Sequence, residues 1–290
     1  MDFNRHLHAL RGIAATAVLV FHWYQFFPAA AEAIRPVSWE GTLLDPTIYL
    51  GFGWMGVPLF FVLSGYLLGG QVLDVRLNGA FLKRFWLRRF LRIYPAVWAE
   101  LIILLALGTV ITGLISAQGM ATLPLQFLLW INLPPFMAQP INGVWWTLPV
   151  ELGFYLLLPF LGLIARWVNW VALLAAAVLI TVVWRAFWFA YSEVETYLSI
   201  LPVLDSLPGV LLTFILGFSL NFLTRSLSVS QRRWGVILCL IGLLALMQWQ
   251  LILDDVYWTG HWILVVWPPM VAMCIAGLVF FFEEPSPEWQ

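Results

Sequence analysis

Residues 48–70 read IYLGFGWMGVPLFFVLSGYLLGG, a stretch without a single Asp, Glu, Lys or Arg. A bilayer hydrocarbon core about 30 Å thick is crossed by about 20 apolar residues of helix, so this stretch is long enough to span it. A spanning segment in lipid must satisfy its own backbone hydrogen bonds, which makes helix the form such a run takes. Further runs of the same kind lie near 12–31, 93–115, 143–165, 167–189, 207–223, 234–252 and 261–282. The stretch 123–138 is apolar as well, but Pro124, Pro134 and Pro135 interrupt it, and it reads as a re-entrant or interfacial segment. The expected fold is all-α: a polytopic transmembrane helical bundle of about eight membrane-spanning helices, forming a single domain over 1–290.

The composition agrees. Of the 290 residues 62% are hydrophobic and 10% charged, where a soluble domain carries about 25% charged residues. A net charge of −1 offers no basic excess for nucleic acid, so no nucleic-acid partner is expected. Cys239 and Cys274 both fall inside apolar runs, without zinc-site or disulfide-framework spacing, and read as packing residues; no metal site is expected. The first apolar run is long and lacks a small-residue cleavage motif, so it reads as a retained helix.

Basic loops stay in the cytoplasm. With the N-terminus inside, every Lys and Arg except Arg35 and Arg185 falls on the cytoplasmic side. The expected product is a multi-pass protein of the cell membrane with both termini cytoplasmic.

Ionisable residues inside membrane segments are costly, which marks them as functional candidates. Arg11 and His22 are eleven residues apart, about 1100° of helical turn and about 16 Å of rise, so they share one face. With Arg11 at the cytoplasmic boundary, His22 falls near the midplane. There its imidazole serves either as a general base or as a hydrogen-bonded packing residue. Arg11 alone is equally a snorkelling residue. Ser64 lacks the G-x-S-x-G turn of a hydrolase nucleophile and reads as a small packing residue. Between Lys83 and Arg92 five positive charges, Arg88, Arg89 and Arg92 among them, alternate with Phe85, Trp86, Leu87, Phe90 and Leu91. This is a basic interfacial pattern that anchors topology on anionic headgroups, or cradles a phosphate-rich donor such as a nucleotide-bearing thioester. Glu151 lies about 12 Å inside its span, deep enough to need a cation, an imidazole or a structural hydrogen bond. Glu100 and Arg185 lie nearer helix ends, where water is expected to reach them.

Leu10-Arg11-Gly12-Ile13-Ala14-Ala15 through Phe21-His22 gives Arg-x10-His. Gly56-Val57-Pro58-Leu59-Phe60-Phe61-Val62-Leu63-Ser64-Gly65-Tyr66 follows, then Arg88-Arg89-Phe90-Leu91-Arg92-Ile93-Tyr94-Pro95 with its Arg-x-x-Arg, then Trp145-Trp146-Thr147-Leu148-Pro149-Val150-Glu151. In this order, over about residues 5 to 160, the motifs resemble acyltransferase family 3, which includes O-acetyltransferases of O-antigen and other surface polysaccharides. The resemblance implies an enzyme that moves an acyl group, commonly acetyl, to a hydroxyl of a carbohydrate or lipid-linked glycan at the outer face. The donor is cytoplasmic acyl-CoA, acetyl-CoA in the usual case, used as a substrate with no bound cofactor. It implies His22 and Arg11 as the active pair, Glu151 supporting them, and Arg89, Arg92 and Arg88 facing the donor. It also implies a bacterial inner membrane. The family usually has about ten membrane helices, so the chain reads as a C-terminally shortened member. Two other readings of the intramembrane charges stay open at this point: a transporter or flippase, and an inactive scaffold.

Overall fold

The computed structural model describes residues 5–33, 42–73, 75–111, 114–191, 197–223, 226–253 and 261–282. Of the basic residues in the topology argument, Arg35 and Arg225 lie outside them. Among the described residues every regular element is a helix. In chain order they are α1 (Arg5–Phe26), α2 (Pro28–Glu32), α3 (Pro46–Gly51), α4 (Gly56–Leu73), α5 (Gly79–Gly108), α6 (Ala117–Ala121), α7 (Leu123–Phe127), α8 (Thr147–Ile164), α9 (Trp170–Tyr191), α10 (Tyr197–Leu204), α11 (Leu207–Ser219), α12 (Val229–Ile252) and α13 (Ile263–Phe282). The fold is the expected all-α helical bundle of a multi-pass membrane protein.

Among the described residues six helical stretches are long and apolar enough to cross a membrane: Pro46–Leu73, Gly79–Gly108, Gly143–Ile164, Trp170–Tyr191, Val229–Ile252 and Ile263–Phe282. The other two expected spans are a shorter apolar helix at Leu207–Phe222 and α1, whose 22 residues include Arg5 and Arg11. The expected basic segment and the span after it are one element: α5 runs 30 residues from Gly79, through Pro95, to Gly108. Asn78 caps it by accepting from the Phe81 amide at 2.8 Å. The stretch 123–138 forms no span; α7 is followed by turns in which Leu129, Asn132 and Met137 adopt positive φ.

The helices group into two compact units. The first comprises residues 1–70, 168–204 and 208–290, the second 71–167 and 205–207. In the first unit small residues let backbones meet, the usual device where lipid removes any hydrophobic drive between helices. A Cβ on Gly65 would run into the Phe214 carbonyl, and one on Gly217 into the Val62 carbonyl, so α4 and α11 cross at near backbone contact. Phe61 stacks on Phe214 beside this crossing at 4.4 Å. Helices α12 and α13 pack as an antiparallel pair, with Gly235 against Phe281, Cys239 against Gly277, and Gly242 against Cys274. Both cysteines are free thiols that fill notches over glycines of the facing helix. Trp267 is fully buried at the other end of this pair, donating to the Leu246 carbonyl at 2.8 Å.

Arg185 departs from its expected access to water. It is completely buried. Its Nε donates to the Leu264 carbonyl at 2.8 Å, and Nη1 to the Leu204 and Gly209 carbonyls at 3.0 and 3.3 Å. The last carbonyls of a helix lack intrahelical partners. Arg185 supplies donors where α10 ends, and ties that end to α11 and α13.

Side-chain hydrogen bonds to backbone organise the second unit. Trp86 donates to the Tyr155 carbonyl at 3.1 Å, Trp98 to Phe127 at 3.0 Å, and the Tyr94 hydroxyl to Leu128 at 3.0 Å. Gln126, fully buried, donates to the Gln139 carbonyl and accepts from the Ile141 amide, which closes the long turn after α7.

Candidate active site

α1 is unbroken from Arg5 to Phe26, so the eleven-residue spacing of Arg11 and His22 is carried on one helix. Both side chains are half-buried, on the stripe that includes the buried Leu7 and Ala14. That stripe packs in the first unit on the turn ahead of α4. A Cβ on Gly53 would strike the Ala17 carbonyl, and one on Gly56 would meet Val18 at 2.9 Å. The Gly-x-x-Gly of residues 53–56 therefore brings the start of α4 against the helix that holds Arg11 and His22. The His22 ring sits edge-on to Phe21, centroids 5.1 Å apart. Among the described residues no side chain or carbonyl hydrogen-bonds its imidazole, which leaves a ring nitrogen able to take a proton.

The second unit brings together the arginine and glutamate motifs. Residues 85, 89, 93, 97 and 101 recur at i+4 along α5. Phe85, Ile93, Val97 and Leu101 are buried and Arg89 is half-buried among them. The Arg89 guanidinium lies 5.6 Å from the Phe85 ring centroid and 5.8 Å from that of Tyr155, within cation–π range of both. Its Nη2 reaches the Gln71 amide oxygen at 3.5 Å. The Tyr155 hydroxyl donates to Glu151 Oε2 at 2.7 Å. Arg89 and Glu151 thus flank one phenol, whose ring faces the cation and whose hydroxyl serves the carboxylate. Arg92 is near enough to act on the same phenol electrostatically. Arg88 and Arg92 are exposed, with guanidinium groups accessible to an anionic ligand.

Tyr155 is the residue that sequence reading passes over. It is 2% exposed. Its spacing of four from Glu151 was the available signal, since i and i+4 are neighbours on a helix surface. Glu100 also proves structural. Its carboxylate accepts from Asn142 Nδ2 and, at 2.9 Å, from Trp145 Nε1, and so pins the 3-10 turn Gly143–Trp146 that leads into α8. Ser64 is half-buried, next to the Gly65 crossing. Among the described residues no three His, Cys, Asp or Glu side chains gather as metal ligands.

A family model described as an acyltransferase domain matches residues 4–285. The chain is 30% identical over 132 residues to nodulation protein 10 of Rhizobium leguminosarum bv. viciae, covering 40% of this chain and 34% of that protein. It is 30% identical over 140 residues to the peptidoglycan O-acetyltransferase OatA of Listeria monocytogenes, covering 42% and 22%. It is 29% identical over 161 residues to a putative acetyltransferase of the Acidianus two-tailed virus, covering 55% and 41%. The matched region thus spans well under two thirds of each of these relatives. No solved structure matches the chain.

Proposed function

The chain belongs to acyltransferase family 3, and from that premise we propose that it carries an acyl group, acetyl in the usual case, from cytoplasmic acyl-CoA to a hydroxyl of a carbohydrate or lipid-linked glycan at the outer face of a bacterial inner membrane. Both termini are then cytoplasmic, and the two compact units belong to one acyltransferase domain. The observation that supports this most is the Arg89–Tyr155–Glu151 arrangement, because it joins two motifs far apart in the chain around one buried phenol. In this reading Arg88 and Arg92 present guanidinium forks to the donor phosphates. Arg89 is held by its aromatic neighbours, so that it sets the position of the cluster as well as its charge.

His22 is the proton acceptor in this reading. Its nitrogen takes the proton of the acceptor hydroxyl, the oxygen attacks the thioester carbonyl, the carbon–sulfur bond breaks, and the CoA thiolate leaves and recovers that proton. Attack by His22 itself, with a brief acyl-imidazole, balances equally well. Arg11, on the same face of α1 but about 16 Å along it, supplies a fixed positive charge to the anionic part of the donor. Tyr155 orients Glu151 through its hydrogen bond.

The test is turnover in nanodiscs with acetyl-CoA and an extract of envelope glycans, following free CoA and acetylated glycan. Wild type is expected to produce both in equal amounts. His22→Ala is expected to lose at least a hundredfold in rate while unfolding at an unchanged temperature, as removal of a general base does. Uptake of a glycan without acetylation would instead establish a transporter. A folded wild type inert in both assays would establish a scaffold.

A further inference from the structure

Antiparallel packing brings the first turn of α12 beside the last turn of α13. Both are membrane-crossing helices by length and composition, so this shared end stands where hydrocarbon gives way to headgroups. A cavity of about 510 Å³ opens there, lined on its polar side by His6, Arg232 and Arg233 and on its apolar side by Val236, Ile237 and Phe281.

The two sides have different chemistry in a fixed order along α12. Arg232 is steadied by its Nε, which donates to the Phe281 carbonyl at 3.4 Å. Arg233, the next residue, is exposed and donates to no described residue. About one turn further into the membrane helix come Val236 and Ile237. Ser228 caps the helix with its own side chain, reciprocated by Gln231. The helix start thus adds its dipole without using either arginine. A ligand that satisfies the whole cavity has an anionic head for the arginines and an apolar tail for the wall below them. A free phosphate would use the first feature and waste the second.

We propose that this cavity binds an anionic phospholipid, its phosphate between Arg232 and Arg233 and one acyl chain along Val236, Ile237 and Phe281. Basic pockets between membrane helices are suited to such headgroups.

The test is native mass spectrometry of the full chain released from nanodiscs of equimolar phosphatidylglycerol and phosphatidylcholine. Wild type is expected to retain one phosphatidylglycerol in preference. Arg232→Gln/Arg233→Gln is expected to reduce that preference on the order of tenfold, and Arg233→Gln alone, at an exposed position that leaves the fold intact, to reduce it in part. Equal retention by wild type and both variants overturns the proposal. Displacement of the lipid by millimolar inorganic phosphate also overturns it, in favour of a free-anion site. A preference that appears only in Glu283→Gln/Glu284→Gln overturns it in favour of the chain's own acidic residues, which follow Phe282 directly.

Discussion

The two units hold polar groups in apolar surroundings by different means. In the first, glycines at 65, 217, 235, 242 and 277 let helices meet at backbone, ring or thiol distance, and one buried arginine donates to carbonyls of α10, α11 and α13. In the second, indole, phenol, amide and carboxylate groups reach across to backbone and to one another. Dispersion between closely fitted surfaces has no directional demand, whereas a hydrogen-bond network fixes the angle of each group it includes. In the second unit that network fixes Arg89, Glu100 and Glu151, while Arg88 and Arg92 stay exposed beside it.

Substitutions can break this contrast, and the largest effect is expected where it is most concentrated. Arg185→Met removes a donor from three carbonyls and is expected to lose roughly 3–5 kcal/mol, read as thermal unfolding in a fixed detergent. Arg185→Lys is expected to recover little, because one ammonium cannot span carbonyls from three helices. Gly65→Val forces α4 away from the Phe214 backbone and is expected to cost about 3 kcal/mol; a loss below about 0.5 kcal/mol would show that the crossing is not tight.

In the second unit Glu100→Gln keeps the shape but weakens the two bonds from Asn142 and Trp145. A loss of about 1–2 kcal/mol is expected, together with faster hydrogen exchange at Gly143–Trp146. Tyr155→Phe preserves the ring that faces Arg89 and removes only the hydroxyl. Its expected stability cost is about 1 kcal/mol, with turnover reduced about tenfold at unchanged donor KM. Gly12→Ala is the smallest case. Among the described residues nothing lies within 4 Å of a Cβ there, so alanine should stabilise the helix interior by about 0.5–1 kcal/mol at most. A loss of turnover in that variant would show that the opening beside Arg11 has a purpose other than packing.

The helical class and most of the span positions were legible because uncharged runs of membrane length admit few structures. The shared face of Arg11 and His22 was legible for a similar reason, since helical periodicity is arithmetic. The span count was less so: polar residues at both ends of α1 and the brevity of Leu207–Phe222 only become decisive once the helix limits are known. The fate of Glu100 and Arg185 was hidden because distance from a helix end is a poor guide to water. What decided it were partners remote in the chain, Trp145 for one and Leu264 for the other. Tyr155 was hidden differently. Its bond to Glu151 is local, but its place under Arg89 comes from packing between α5 and α8.

Helix α5 has a mechanical consequence. At 30 residues it is about 45 Å long, and one continuous element bears Arg89 about a third of the way along and Glu100 eleven residues further on. Pro95 stands between them and removes the amide bond that would reach the Leu91 carbonyl. The helix is a shaft with a joint in it. Any change of angle at that joint would therefore alter the direction between the Arg89 cluster and the turn that Glu100 holds.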